Sequence, residues 1–256
     1  MPDTSFVPRA ETLAKYYDLR HGAYKLDVPF YEHIASETTG IALELGCGTG
    51  RLLAPLCRQG LAVIGVDSAQ PMLVRAKTAI VHAQVEAQAL LVQADLRRPV
   101  ARNASLAILA MNTFCHFQDQ HDQRAVLRSA AESLHKGGML AMDVPNPHIE
   151  LQARPNGACI LEAVHQVGQE AVYEWSVTET EPSQQLLRVT GIYDTCSASG
   201  MFRREVASYS LRLFYRYELE LLIQGAGLKI EAILGDYDYS EYEAESPRMV
   251  VIARKE

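Results

Sequence analysis

Between residues 41 and 59 the chain runs Ile-Ala-Leu-Glu-Leu, then Gly46-Cys47-Gly48-Thr49-Gly50, then an apolar-periodic stretch from Arg51. An apolar run, a glycine cluster and a helical pattern, in that order, predict a strand, a tight turn and a helix, with Gly60 where the helix stops. Glycines at 46 and 48 let the backbone turn sharply and come close to a ligand, and the helix start offers it free N–H groups. Such a unit belongs in an open α/β sheet, whose ligands sit beyond the carboxyl ends of the strands.

The next hundred residues supply that sheet. Strands are predicted at 62–66, 89–93, 106–111 and 139–144. One intervening helix is predicted at 68–79, capped by Ser68 with Pro71 in its first turn; another spans 119–135, stopped by Gly137-Gly138. Strands alternating with helices of this length imply right-handed crossovers and a mostly parallel sheet. Past Pro145 the pattern changes. Segments 171–180, 186–193 and 202–214 alternate or are rich in β-branched and aromatic residues, with turn clusters between them, which predicts antiparallel hairpins. A helix at 216–226 and strands at 228–234 and 248–253 close the chain. The expectation is a single α/β domain. Its Rossmann-like, mostly parallel seven-stranded sheet, with helices on both faces, spans 37–150 and 216–256. A helical lid (1–36) and an inserted antiparallel β excursion (151–215) cover the substrate.

The turn departs from the dinucleotide pattern, which needs its third glycine where this chain has Arg51. Here that glycine comes two residues after the second, at Gly50, and Glu44 precedes the turn. A carboxylate there disfavours a pyrophosphate; it can hold an ammonium or structure the loop. Asp67 ends the second strand 21 residues after Gly46, near the ~20-residue spacing at which an acid meets a ribose diol. The third strand closes in Gln93-Ala94-Asp95-Leu96. In this order the segments are similar to motif I and the following acidic turns of class I S-adenosylmethionine-dependent methyltransferases, a resemblance running from Leu43 to about Asn146. It implies S-adenosylmethionine as cofactor, held by Glu44, Gly46, Cys47, Gly48, Gly50, Asp67, Ser68, Met72, Asp95, Leu96 and Asn112. The Asp95 carboxylate would accept from the adenine amino group, and Tyr17 of the Tyr-Asp pair would close over the methionine end. Cys47 is expected to be a small spacer.

After the fourth strand come Asn112-Thr113-Phe114-Cys115-His116-Phe117. Enzymes that methylate amino groups of DNA bases carry an acidic or amide residue, two prolines and an aromatic here; this chain has only the Asn, which argues against DNA. The layout is similar instead to small-molecule N-methyltransferases of the amino-sugar and glycine or sarcosine type. That implies transfer to nitrogen, or to oxygen, of a small-molecule acceptor bounded by Tyr31, Phe114, Phe117 and Tyr215. His116 is the one imidazole in the expected cleft: a general base, or a residue that packs between the phenylalanines or orients substrate. A tRNA acceptor and a non-catalytic cofactor-binding partner protein remain as alternatives.

A formal charge of −7 speaks against gripping RNA, DNA or an anionic membrane over a wide face. No His or Cys spacing suggests a metal site. The five cysteines form no framework, no run of about eighteen apolar residues occurs and the N-terminus has no signal pattern, so a reduced, cytoplasmic monomer or homodimer is expected. All twelve tyrosines lie in the first 31 residues or after residue 172, in the parts expected to cover the sheet. The run around Tyr237, Tyr239 and Tyr242 reads as a solvated acidic loop.

Overall fold

A computed structural model describes residues 10–256; the first nine residues of the expected lid lie outside the described residues. Two helices open the chain where one lid was expected, α1 (Ala10–His21) and α2 (Val28–Ser36). Pro29 stands in the first turn of α2, where its missing N–H costs nothing. There follow β1 (Ile41–Leu45), α3 (Leu53–Arg58), β2 (Ala62–Asp67), α4 (Gln70–Ala83), β3 (Ala89–Gln93), β4 (Ala104–Leu109), α5 (Gln120–Ser133) and β5 (Leu134–Pro145). A short α6 (Pro147–Glu150) leads into β6 (Cys159–Val167), β7 (Glu170–Glu181), β8 (Leu186–Ser197) and β9 (Phe202–Arg212). The chain closes with α7 (Arg216–Gly225), β10 (Leu228–Leu234) and β11 (Arg248–Lys255).

The first sheet has seven strands in the order β3-β2-β1-β4-β5-β11-β10. It is parallel from β3 to β5, and β11 runs antiparallel to both neighbours. Because β1 lies between β2 and β4, the strand order reverses there, and the loops leaving β1 and β4 diverge around one crevice. Both faces are covered. In β4, Leu106 and Ile108 join the core with α2, α3 and α4, while Ala107 and Leu109 join the core with α5 and α7. Such strands read as continuous apolar runs.

The second sheet is antiparallel, β6-β7-β8-β9. Its register places Glu174, Tyr193 and Glu205 in one row, and Val189 opposite Tyr209. At one end Leu187, Val189 and Leu211 sink into the first sheet's core beside Phe114 and Phe214, which anchors the excursion.

Several boundaries differ from expectation for identifiable reasons. Ser68 does not cap α4; it is exposed, and Asp67 Oδ1 accepts from Ala69 N at 2.8 Å, so the strand-ending acid serves the helix entrance. Helix α5 stops at Ser133, because buried Leu134 already pairs with Ala104, and Gly137-Gly138 sit inside β5. Strand β6 was not expected: a register shift between Leu161 and Ala163 breaks its alternation. Tyr237 is buried against Phe30, with the Arg248 guanidinium 4.5 Å from its ring centroid; it does not belong to a solvated loop. Among the described residues no helix is long and apolar enough to cross a membrane.

Candidate active site

The glycine turn is stitched to the end of β2. Gly46 N and Cys47 N both donate to Val66 O, at 2.7 and 2.9 Å, and Gly48 N donates to Asp67 Oδ2 at 2.9 Å. Gly46 has φ +79°, and a Cβ there would stand 2.3 Å from Thr113 Cγ2, in the loop after β4. Gly50, at φ +84°, would meet Ala76 Cα at 3.1 Å. These positions require glycine both for conformation and for space. The Tyr17 ring lies over Gly48, 3.9 Å from where a Cβ would be, and burial pushes its hydroxyl up to about 12. Cys47 is buried, and burial drives its thiol far above the usual range, which fits a spacer.

Glu44 leads into this turn with only 4% of its surface exposed. Burial pushes its carboxyl up to about 8, against the pull of Arg51. Its Oε2 has no partner among the described residues. Arg51 cannot close that gap, because its guanidinium forms a two-pronged bond to the wholly buried Asp27, Nη1 to Oδ1 at 2.6 Å and Nη2 to Oδ2 at 2.5 Å. A second orphan acceptor lies after β4. Met111 and Asn112 adopt successive left-handed conformations, φ +52° and +61°, and Asn112 Oδ1 is buried without a partner. Asp143, at the end of β5, holds that strained pair by accepting from Met111 N at 2.9 Å and Asn112 N at 3.4 Å. Strain kept at such a site has to be held by its surroundings. Unpaired buried acceptors cost about 1–3 kcal/mol each; an N–H-bearing ligand over the ends of β1 and β4 would satisfy both.

Beyond the turn, Asp67 already accepts from two backbone N–H groups, yet a carboxylate has about four acceptor positions, so it can take further donors. Met72 is half-buried in the first turn of α4. The Leu96 side chain joins the core. Asp95 is engaged by Arg97, through N at 3.0 Å and Nη2 at 2.6 Å, which holds its carboxyl below the usual value. Nothing in the local sequence pattern announces that clasp.

His116 ends a single helical turn after β4 and is exposed to the cleft, 5.9 Å ring to ring from Tyr209. The protein packed around it displaces bulk water and lowers its basicity; the Asp67 charge opposes this weakly. The expected acceptor residues divide. Phe114 has no exposed surface and stacks on Phe214 at 4.8 Å. Tyr31 is likewise sealed in the core, donating to Asp143 Oδ1 at 2.7 Å. Both are corrected to structural residues: the face of α2 and the first residue of the helical turn's apolar side point inward, where burial is worth about 1.5–3 kcal/mol per side chain. Phe117 is half-buried beside Phe114, and Tyr215 precedes α7, half-exposed and edge-on to His148.

The inner face of the second sheet brings charge that the sequence did not reveal. Glu174, its side chain 3% exposed, meets His165 Nε2 at 3.0 Å and Arg20 Nε at 3.4 Å. Glu162 Oε1 accepts from Arg154 and Ser176. Helix α1 is fastened to the same face, where Tyr16 stacks on Tyr193 at 3.9 Å and donates to Glu205. A cavity of about 380 Å³ between α1, the turn and α4 touches Tyr17 and Arg51 but neither His116 nor Asn112, so it lies beside the chemistry. Asp119, His121 and Asp122, close enough together to ligate a metal, form the exposed start of α5: Asp119 caps the helix and Asp122 pairs with Arg97.

Residues 42–138 match the methyltransferase domain family. The chain is 26% identical to a cypemycin N-terminal methyltransferase from a Streptomyces species, over 84% of this chain and 82% of that protein. Its fold is similar to an S-adenosylmethionine-dependent methyltransferase from Clostridium acetobutylicum, with a TM-score of 0.80, 17% identity and coverage of 96% and 98% of the two chains. The CcbJ methyltransferase from Streptomyces caelestis superposes with a TM-score of 0.76 at 25% identity, over 95% and 96%. The chain thus carries a methyltransferase domain over residues 42–138 and, with its glycine turn and its acids at 44 and 67, is similar over most of its length to S-adenosylmethionine-dependent methyltransferases.

Proposed function

We propose that the chain methylates a nitrogen of a small molecule bound between the two sheets. The observation that carries this reading is the pair of buried, unpartnered acceptors, Glu44 Oε2 and Asn112 Oδ1, at the ends of neighbouring strands beside the glycine turn. S-adenosylmethionine, when bound, supplies an electrophilic methyl group on a sulfonium. Ionised Glu44 takes an ammonium and Asn112 accepts a further N–H. Asp67 takes the ribose hydroxyls, Met72 and Ser68 flank the adenine, and the Leu96 N–H meets its ring once Asp95 turns from Arg97. Tyr17 covers the methionine end.

Alignment of nucleophile, methyl carbon and sulfur accounts for most of the rate in such a displacement. His116, kept neutral near pH 7 by its lowered basicity, accepts the proton that an amine must lose. An alcohol would need a stronger base at the same place, which favours nitrogen. The Streptomyces relative is named for methylation of an N-terminus, in keeping with a nitrogen acceptor.

The test is incubation of the enzyme with methyl-labelled cofactor and metabolite extracts, with total tRNA as a separate arm. Label on a small amine is the expected result; label on tRNA alone would overturn the acceptor assignment. With the labelled acceptor in hand, the wild-type rate should fall as pH drops through a value below the ordinary ~6.5 of histidine. In His116→Gln the rate should be lower and lack that limb. An unchanged profile excludes His116 as the base.

A further inference from the structure

Arg20 has no task in cofactor binding, yet the fold holds it in the acceptor space. It lies in the last turn of α1, its side chain about one-fifth exposed, between the Tyr193 and Tyr209 rings and the Glu174 and Glu162 carboxylates. The closest approach of its guanidinium to a protein carboxylate is Nε to Glu174 Oε1, at 3.4 Å. The Tyr193 hydroxyl lies within hydrogen-bonding reach of the guanidinium, which makes no other hydrogen bond among the described residues and is about one-fifth exposed, so the rest of the fork is open to a ligand. The Tyr209 ring stands 5.9 Å from His116, on the same side as Arg20. Glu174 is already shared with His165, and Glu162 Oε1 with Arg154 and Ser176, so nearby negative charge is already committed. A guanidinium whose outer N–H groups are not taken up by a protein carboxylate is suited to contact with an oxyanion.

Resting on the proposed function, we propose that Arg20, aided by the Tyr209 hydroxyl, docks an anionic group of the acceptor. The acceptor is then an amine that also carries an oxyanion, a carboxylate or a phosphate. The oxyanion lies on the roof side of the cleft and the amine on the His116 side. Glu174 keeps the fork oriented from behind, through Nε, while leaving its recognition edge free. The lid helix thereby reads the acceptor, and Tyr17 on the neighbouring face of the same helix covers the cofactor turn.

The enzyme saturated with S-adenosylhomocysteine is titrated separately with acetate and with inorganic phosphate, at constant ionic strength set by chloride. The arginine Nε–Hε NMR signals are followed, and the Arg20 signal is assigned from Arg20→Lys. A saturable shift of that signal with one anion is expected, acetate marking a carboxylate site and phosphate a phosphate site; absence of a shift with both overturns the subsite. In the labelled-extract assay, label should appear among compounds retained on an anion exchanger. Arg20→Gln should raise KM for that fraction about tenfold or more, leave the calorimetric affinity for S-adenosylhomocysteine unchanged and lose the NMR shift. Label confined to unretained amines, or a wild-type KM in Arg20→Gln, would overturn the proposal. Failure of the wild type to bind S-adenosylhomocysteine would instead overturn the reading beneath it.

Discussion

The first sheet and the second sheet meet where Tyr209 of β9 approaches His116, and they are built by opposite means. The floor is aliphatic, its loops are shaped by backbone geometry with the turn's N–H groups donating within the protein, and two buried oxygens at its strand ends have no partner among the described residues. The roof is held by side chains: a tyrosine stack and carboxylates paired with Arg20, Arg154 and His165 from other elements. A backbone-built site tolerates almost no change in shape. A side-chain-built site can be altered residue by residue, which suits a fixed cofactor below and a variable acceptor above.

The sharpest way to break this contrast compares two glycines of similar φ. Gly46→Ala in the floor meets Thr113 at 2.3 Å as well as the left-handed penalty, and should cost more than about 2 kcal/mol and abolish measurable S-adenosylhomocysteine binding. Gly200→Ala in the roof, at φ +81° with open space around it, should cost only about 1 kcal/mol and leave cofactor binding intact. Equal effects, read by thermal melts and calorimetry, would remove the distinction.

Glu44 gives an effect of comparable size, read through pH. Its folded value of about 8 lies above the ordinary 4.5, so the folded chain holds a proton that the unfolded chain releases first. The contribution of this one group to the stability of the cofactor-free enzyme should therefore be full below about pH 4.5, fall by on the order of 4 kcal/mol as pH rises towards 8, and then level off. Denaturant titrations of wild type and Glu44→Gln test this, since the difference between them should carry that slope. Binding an ammonium reverses the preference, so S-adenosylhomocysteine binding near pH 7 should release close to one proton in wild type and none in Glu44→Gln. Calorimetry in buffers of different ionisation enthalpy reads that number.

Asp143→Ala should cost about 3 kcal/mol, because it strands Tyr31, Arg248 and the two left-handed N–H groups at once. The smallest effect belongs to the roof. Tyr16→Phe keeps the stack and removes one hydrogen bond, for about 1 kcal/mol in denaturant titration.

The same contrast explains what could be read from the chain. In the floor, strand, turn and acid follow one another in sequence, so Glu44, Gly46, Gly48 and Asp67 could be placed from spacing, and the structure brings them together. Asn112 and His116 were legible because parallel strands send their loops to one edge. Asp143 left a faint signal, an acid near the end of a predicted strand, but its task depends on Tyr31 more than a hundred residues earlier. Arg20, Glu162 and Glu174 were not legible. Which of their atoms are committed is decided by a β-bulge, by the register of β6 to β7 and by a helix docked from the far end of the chain. Tyr31 and Phe114 show the converse error, since an aromatic beside a cleft and one beneath it look alike until burial is known.

We propose that the floor is a cofactor site ordered by the acids at the ends of its strands. Its most direct test is titration calorimetry of S-adenosylhomocysteine into wild type and Asp67→Asn at pH 7. Wild type should show one saturable site per chain and the variant at least about tenfold weaker binding, with the fold of both verified by circular dichroism. Wild-type protein that does not bind, or a folded Asp67→Asn that binds equally well, would contradict it.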